Sequence, residues 1–202
     1  RSREIRIQEL ANYSGYTQPD AVRDLCGFGH QMDYSVPVLS DFALMSVWAP
    51  MLRVLADGLG VDLEKVSTTT ERRPLERTMS VDGMGVFEAG TQGAFRFQVE
   101  GHVDGRPLLV IEHVTRIDDQ CAPEWPGLES GTGSHRVLLA AQPNITVTVH
   151  AEDLTEAGAA AGGNACAANR VVNSIPAVCQ MPPGIVHPLD LPLILKGDQV
   201  RL

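Results

Sequence analysis

Glu112 and His113, side by side in the middle of the chain, are a first pair of acid–base groups in a setting that could do chemistry. They fall in an alternating apolar–polar run, and Asp104-Gly105 just upstream is a strong signal for a two-residue hairpin turn between two such runs. Counting outward from that turn places Glu112 opposite Phe97, on the apolar face, and His113 on the polar face near Arg96. Burial there would raise the Glu112 pKa and suit it to proton transfer, although a buried carboxylate also serves as a structural partner for Arg.

Tyr13, Tyr16 and Trp48 join apolar area to a polar tip, the combination that orients a small ligand in a pocket; for Trp48 core packing is the alternative. Asn169, Arg170 and Asn173 recur at helical spacing ahead of a proline-rich tail, where a purely structural helix would carry apolar residues on its packed face. Capping or loop-tethering hydrogen bonds would account for them equally.

Other chemistry lacks a motif. Gly27-Phe28-Gly29 and Gly83-Met84-Gly85 miss the third glycine and the strand-to-helix setting that would seat a pyrophosphate, so the chain is not expected to hold a dinucleotide alone. Phosphate-loop, H-E-x-x-H and G-x-S-x-G patterns are missing too. The six histidines are scattered, and Cys26, Cys121, Cys166 and Cys179 form no C-x-x-C pair. No metal site is expected, and the cysteines read as buried free thiols.

These residues need a scaffold, and 202 residues with 44% hydrophobic and 20% charged composition suffice for a single globular domain, residues 1–202. The net charge of −9, without a basic stripe, argues against nucleic acid as a partner. No apolar stretch approaches the roughly 20 residues of a membrane span, and no signal pattern opens the chain, which points to a cytoplasmic protein without membrane contact.

Residues 3–16 read as a strand ending in a polar turn, and Pro19-Asp20 opens a short helix closed by Gly27. Over residues 39–59, Trp48, Met51, Leu52, Leu55 and Leu59 recur at helical spacing up to Gly60, with Pro50 either kinking the helix or starting a second one. Phe95, Phe97, Val99 and Val103 alternate with polar residues and lead into the Asp104-Gly105 turn and a returning strand over 107–117. Strands over 135–141 and 145–150 follow. Small-residue stretches at 127–134 and 157–163 read as mobile loops; Asn164 would cap a helix over 165–175 that ends at Pro176, and the tail over 182–192 would be irregular. The pattern predicts an α+β fold: a mainly antiparallel, mixed open sheet with helices packed on one face. An alternating sheet face without a covering helix predicts a dimer or larger homo-oligomer through the sheet.

Near the C-terminus the residues become specific: Asn169-Arg170-Val171-Val172-Asn173-Ser174-Ile175-Pro176, then Pro182-Pro183-Gly184-Ile185, then Leu189-Asp190-Leu191-Pro192. With Val103-Asp104-Gly105-Arg106-Pro107, Glu112-His113-Val114-Thr115-Arg116, Trp125 and Ala56-Asp57-Gly58-Leu59-Gly60, they span nearly the whole chain. In order and spacing they resemble the C-terminal domain of the 2,4-diaminopentanoate dehydrogenase and native amine dehydrogenase group, within the dihydrodipicolinate reductase-like proteins.

The resemblance implies a substrate-binding and oligomerisation domain that follows an N-terminal Rossmann domain not contained in this chain. It implies NAD or NADP, held mainly by that other domain, and interconversion of an amine with a carbonyl compound plus ammonia. The catalytic acid or base would also lie in the other domain. Tyr13, Tyr16, Trp48, Glu112 and Asn173 would then contact substrate, while Asn169 and Arg170 would face the nicotinamide. An opening at Arg1 that runs almost at once into strand-like sequence agrees with a preceding segment. The chain departs from true dihydrodipicolinate reductases, whose H-H-x-x-K segment grips a dicarboxylate. It has Glu9-Leu10-Ala11-Asn12-Tyr13-Ser14-Gly15-Tyr16 there, without Lys, so an amine or ketone of modest polarity fits better. The competing expectation is a stand-alone oligomerising or small-molecule-binding module without catalysis.

Overall fold

The computed structural model describes residues 2–16, 18–151 and 161–192. Its frame is a six-stranded sheet in the order β2-β5-β6-β1-β7-β8. The strands are β1 (Glu4–Asn12), β2 (Lys65–Pro74), β5 (Gln92–Val103), β6 (Arg106–Arg116), β7 (Gly133–Ala140) and β8 (Ile145–Val149), and β3 (Met79–Val81) and β4 (Gly85–Phe87) form a separate small hairpin. Every pairing in the large sheet is antiparallel except that of β1 with β6, so the sheet is mixed and mainly antiparallel.

Helices cover one face. α1 (Asp41–Val47) begins at Ser40, whose hydroxyl accepts from the Ala43 N–H, and α2 (Ala49–Leu59) ends at Gly60 in the left-handed conformation, φ 66°. Of the two outcomes that Pro50 allowed, the chain takes the second: it breaks at Trp48 and Pro50 sits in the first turn of α2, where its missing N–H costs nothing. Leu44, Leu52 and Ala56 turn inward with Phe97, Val99, Leu109 and Ile111 of the sheet, and α2 packs on β5 and β6. Taken as one segment, Asp41–Leu59 is 19 residues long with a mean hydropathy of 1.3, long and apolar enough to cross a membrane. The expectation that no stretch approaches that length therefore fails. The break at Trp48 splits the segment, and Ala49, Leu52 and Ala56 spend their apolar surface on the sheet.

The hairpin between β5 and β6 forms where Asp104-Gly105 predicts it, with φ of 51° and 72° at the two turn residues. Its register differs from the simple count. Val103 faces Arg106 and His102 faces Pro107, but Gly101 then faces Leu109, so β6 carries one extra residue. One added residue reverses which face each later side chain takes. Glu112 therefore lies opposite Gln98, on the face without helices, and His113 lies opposite Phe97 beneath α1 and α2: the two predicted placements are exchanged.

The C-terminal helix, α3 (Ala161–Val178), starts earlier than Asn164 and runs past Pro176. The bond that Pro176 cannot make costs one rung near the helix end. Of the small-residue stretch at 157–163, residues 157–160 lie outside the described residues, and 161–163 are the first turn of α3. The tail is irregular apart from one turn at Pro188–Asp190. Cys26 and Cys121 are buried as expected, but Cys166 and Cys179 on and just after α3 are exposed.

Candidate functional site

On the helix-covered face the middle strands present short apolar rows: Ile5 and Ile7 on β1, Leu109 and Ile111 on β6, Leu139 and Val137 on β7. Each row ends in an ionisable residue at the same level. Glu9 is the direct cross-strand neighbour of His113 on one side and of His135 on the other. Glu9 Oε2 lies 3.5 Å from His113 Nε2 and 3.7 Å from His135 Nε2.

Trp48, held at the junction of α1 and α2, closes this group from above. Its indole N–H donates to His113 Nε2 at 3.0 Å, and the His113 ring stacks on Phe97, centroids 4.6 Å apart. Burial pushes the His113 imidazole below its ordinary pKa against the opposing pull of Glu9. The Glu9 carboxylate, 3.7 Å away, holds His135 above its ordinary value. Burial alone would raise the Glu9 carboxyl, but the two neighbouring histidines, His135 foremost, outweigh it and bring the carboxyl below its usual range. The arrangement keeps an anion between one neutral and one readily protonated imidazole.

Two cavities meet at this cluster. One, of about 490 Å³, runs beneath α2 and is walled by Ile7, Trp48, Met51, Val54, Leu55 and Ile111, with Glu9, His113 and His135 at its polar end. The other, of about 310 Å³, lies between the end of β1 and the start of α3, lined by Glu9, Tyr13, Tyr16, Ser134, His135 and Asn164. Ser134 Oγ is buried there without a hydrogen-bond partner among the described residues. Tyr13 and Tyr16 are packed together, ring centroids 5.1 Å apart, and burial raises the Tyr13 hydroxyl above its ordinary pKa, which keeps it a neutral donor. An apolar trough with ionisable groups gathered at one end suits a small ligand with an apolar arm and one polar, basic or carbonyl head.

The structure thus brings Tyr13 and Tyr16 to one cavity and Trp48 to the next, with Glu9 and His135 common to both. Glu112 is not among them. Its side chain, 1% exposed, lies on the other face and accepts hydrogen bonds from Arg6 at 2.9 Å, Gln8 at 2.8 Å, Arg96 at 2.6 Å and Gln98 at 3.1 Å. Burial works to raise its pKa, but hydrogen bonds from Gln8, Gln98 and Arg6 and the Arg6 charge lower it, opposite to the expected direction. The carboxylate is an ion-pair hub. On α3, Asn169 and Arg170 are exposed and Asn173 is half-buried; Val171, Val172, Ile175 and Val178 form an exposed apolar stripe beside them.

Glu9 and His135 were missed as site residues, although their signal was present: each interrupts an apolar alternation at a strand's end. Only the pairing of β1 with both β6 and β7 shows that the three interruptions coincide. Among the described residues no group of three or more His, Cys, Asp or Glu is placed to hold a metal ion.

A mixed sheet covered by helices on one face, with a half-apolar, half-ionisable trough between the layers, defines an α+β domain with a candidate ligand site. Its family is shown by sequence: the family described as 2,4-diaminopentanoate dehydrogenase C-terminal domain matches residues 48–198, and the chain belongs to it. A relative from Streptomyces virginiae named amine dehydrogenase is 46% identical over 190 residues, covering 94% of this chain and 52% of its own length. The solved amine dehydrogenase from Mycobacterium smegmatis shares the fold, with a TM-score of 0.61 at 18% identity over 97% of this chain and 53% of that one. The chain spans about half the length of each of these two relatives.

Proposed function

We propose that this chain is the substrate-side and oligomerisation domain of an NAD(P)H-dependent oxidoreductase that interconverts an amine with its carbonyl compound and ammonia. The observation that carries the reading is the apolar trough ending at Glu9, His113 and His135. Ile7, Trp48, Met51 and Leu55 would take the hydrocarbon arm of the substrate, and the Glu9 carboxylate would favour a cationic amine or iminium head at the polar end. Neutral His113 and the Tyr13 hydroxyl offer polarity there without a competing positive charge.

The nicotinamide cofactor supplies or takes up the hydride when bound. What fits it in this chain is one end only. Asn164, Tyr13 and the Ser134 hydroxyl surround the second cavity, and Asn169 and Arg170 stand exposed on α3, where they would meet a ring and its amide from outside. The dinucleotide's phosphates would be held by a Rossmann domain outside this chain, without which the domain would be inactive. Asn173, half-buried on the same helix, would turn toward substrate; Glu112 would act on the pairing face rather than in the trough.

That pairing face carries the row Arg6, Glu112, Arg96 and Glu71, joined by ion pairs and bare of helices; the loop holding Trp125 lies across one end. A second copy would cover it, giving a homodimer or larger assembly. Free thiols at all four cysteines suit a reducing, cytoplasmic setting. The test is to assay the protein with its upstream segment for NADH or NADPH oxidation in the presence of ammonia and aliphatic ketones. No turnover with any carbonyl compound, or tight NAD(P)H binding by residues 1–202 alone, would overturn the reading.

A further inference from the structure

His113 Nε2 stands between two partners that demand opposite things of it. The Trp48 indole N–H, 3.0 Å away, can only donate, so it needs the Nε2 lone pair; this fixes the ring as the neutral tautomer with its proton on Nδ1. Glu9 Oε2, 3.5 Å from the same nitrogen, can only accept while ionised, so it needs a proton there. One nitrogen cannot satisfy both. A proton arriving from solvent at Nε2 ends the bond to Trp48 and allows one to Glu9 to form.

We propose that His113 is a positioning residue for the substrate trough: neutral, it pins the Trp48 indole as one wall, and when protonated it turns to Glu9 and releases that wall, weakening substrate binding. This rests on the reading that the trough holds the substrate's apolar arm. The release has somewhere to go, because Trp48 lies at the break between α1 and α2 and borders the open trough rather than a filled core. The return is guided by Phe97, which contacts both rings, its centroid 4.7 Å from that of Trp48 and 4.6 Å from that of His113.

Among the described residues, the titratable groups facing His113 are Glu9 from β1 and His135 from β7. β5 contributes Phe97, and the helix pair contributes Trp48 and Met51, none of which titrates near neutrality. Arg96 and Glu112 belong to the opposite face. His135 shares Glu9, so once His135 is protonated it competes for the carboxylate and makes the His113 proton harder to place. Burial acts in the same direction, and the switch should operate on the acid side of the ordinary histidine pKa, 6.5.

The experiment uses the full-length protein with Trp125→Phe, leaving Trp48 as the sole tryptophan of this domain, and follows Trp48 emission and the KM for an aliphatic ketone against pH. Tryptophans of the upstream segment are likewise replaced by Phe. Emission should fall with a midpoint below 6.5, and KM should rise about fivefold through the same midpoint, the equivalent of about one neutral hydrogen bond. His113→Gln, whose side-chain carbonyl accepts the indole N–H but does not titrate, should keep the low KM and abolish both transitions. His113→Phe should show the high KM at every pH. A His113→Gln protein that keeps the wild-type emission and KM profiles would overturn the proposal. If the variants fail to fold, nitrogen NMR of the wild-type histidines decides: an Nε2–H tautomer for His113 at neutral pH overturns it, and an Nδ1–H tautomer supports it. Should no carbonyl compound turn over at all, the functional reading falls, while emission and tautomer still decide the role of His113.

Discussion

Replacing Glu112 tests whether the helix-free face is organised around a single buried anion. The wild-type carboxylate accepts from four side chains, and removing one partner of a buried ion pair typically costs about 3–5 kcal/mol because the other charge is left stranded. Arg6 and Arg96 are 21% and 24% exposed, so water can reach part of each guanidinium, and the cost is discounted to about 2–3 kcal/mol for Glu112→Ala. Glu112→Gln keeps one acceptor oxygen but turns an amide toward donors, and should lose about half as much. Urea unfolding monitored at pH 7 would show the alanine variant's midpoint about 1 M lower, for a slope of about 2–3 kcal/mol per molar. The penalty should also depend on pH. The folded-state pKa of Glu112 lies below the ordinary value of 4.5, so its stabilisation is complete above 4.5 and disappears as pH falls through the lowered value. The gap between wild type and Glu112→Gln should therefore shrink on acidification through that window. A penalty below about 0.5 kcal/mol, or one indifferent to pH, would refute the claim that this carboxylate organises the face.

Three further outcomes are expected. Gly93→Ala would set a Cβ 2.6 Å from Leu75 Cγ and 2.9 Å from Cys121 Sγ, and should cost about 1–3 kcal/mol in thermal melts; an unchanged melting temperature would show that the β5–loop contact yields easily. Glu9→Gln should return the His135 pKa toward 6.5, read by proton NMR of the ring, because the nearby Glu9 carboxylate is the main cause of its elevation. The two histidines should pull stability in opposite directions: the share due to neutral His113 is present above 6.5 and lost as pH falls toward its lowered pKa, whereas that of His135 is present below 6.5 and lost as pH rises through its raised pKa. Unfolding of His113→Gln and His135→Gln across pH 5–8 would separate the slopes, and parallel profiles would contradict the assignment.

Much of the frame was legible because local chemistry and tertiary structure agree. Asp104-Gly105 demands a turn with positive φ, Pro50 and Gly60 punctuate α2, and the alternation of β5 matches a half-buried sheet, while those of β7 and β8 mark strands at the sheet's other end. β2 escaped notice because its Thr, Glu and Arg residues carry little hydrophobic period; it is held by pairing along β5. The extra residue of β6 left no local signature, yet it exchanged the sites of Glu112 and His113 and turned an expected buried acid into a paired anion. The start of α3 was hidden by glycines that propensity assigns to loop. For the site, Tyr13, Tyr16 and Trp48 were visible as residue types, whereas the Glu9 cluster exists only through strand neighbours far apart in sequence.

The central position of β1 bears on how this polypeptide comes together during synthesis. Arg6 and Glu112 are 106 residues apart, so β1 leaves the ribosome long before either flanking strand exists. The β5–β6 hairpin can close from sequence neighbours alone, whereas β1 must be captured afterwards by an edge of β6 still unoccupied. A chaperone that shields residues 4–12 on the nascent chain would thus guard the strand whose two pairings, to β6 and to β7, bring Glu9 to its two imidazoles.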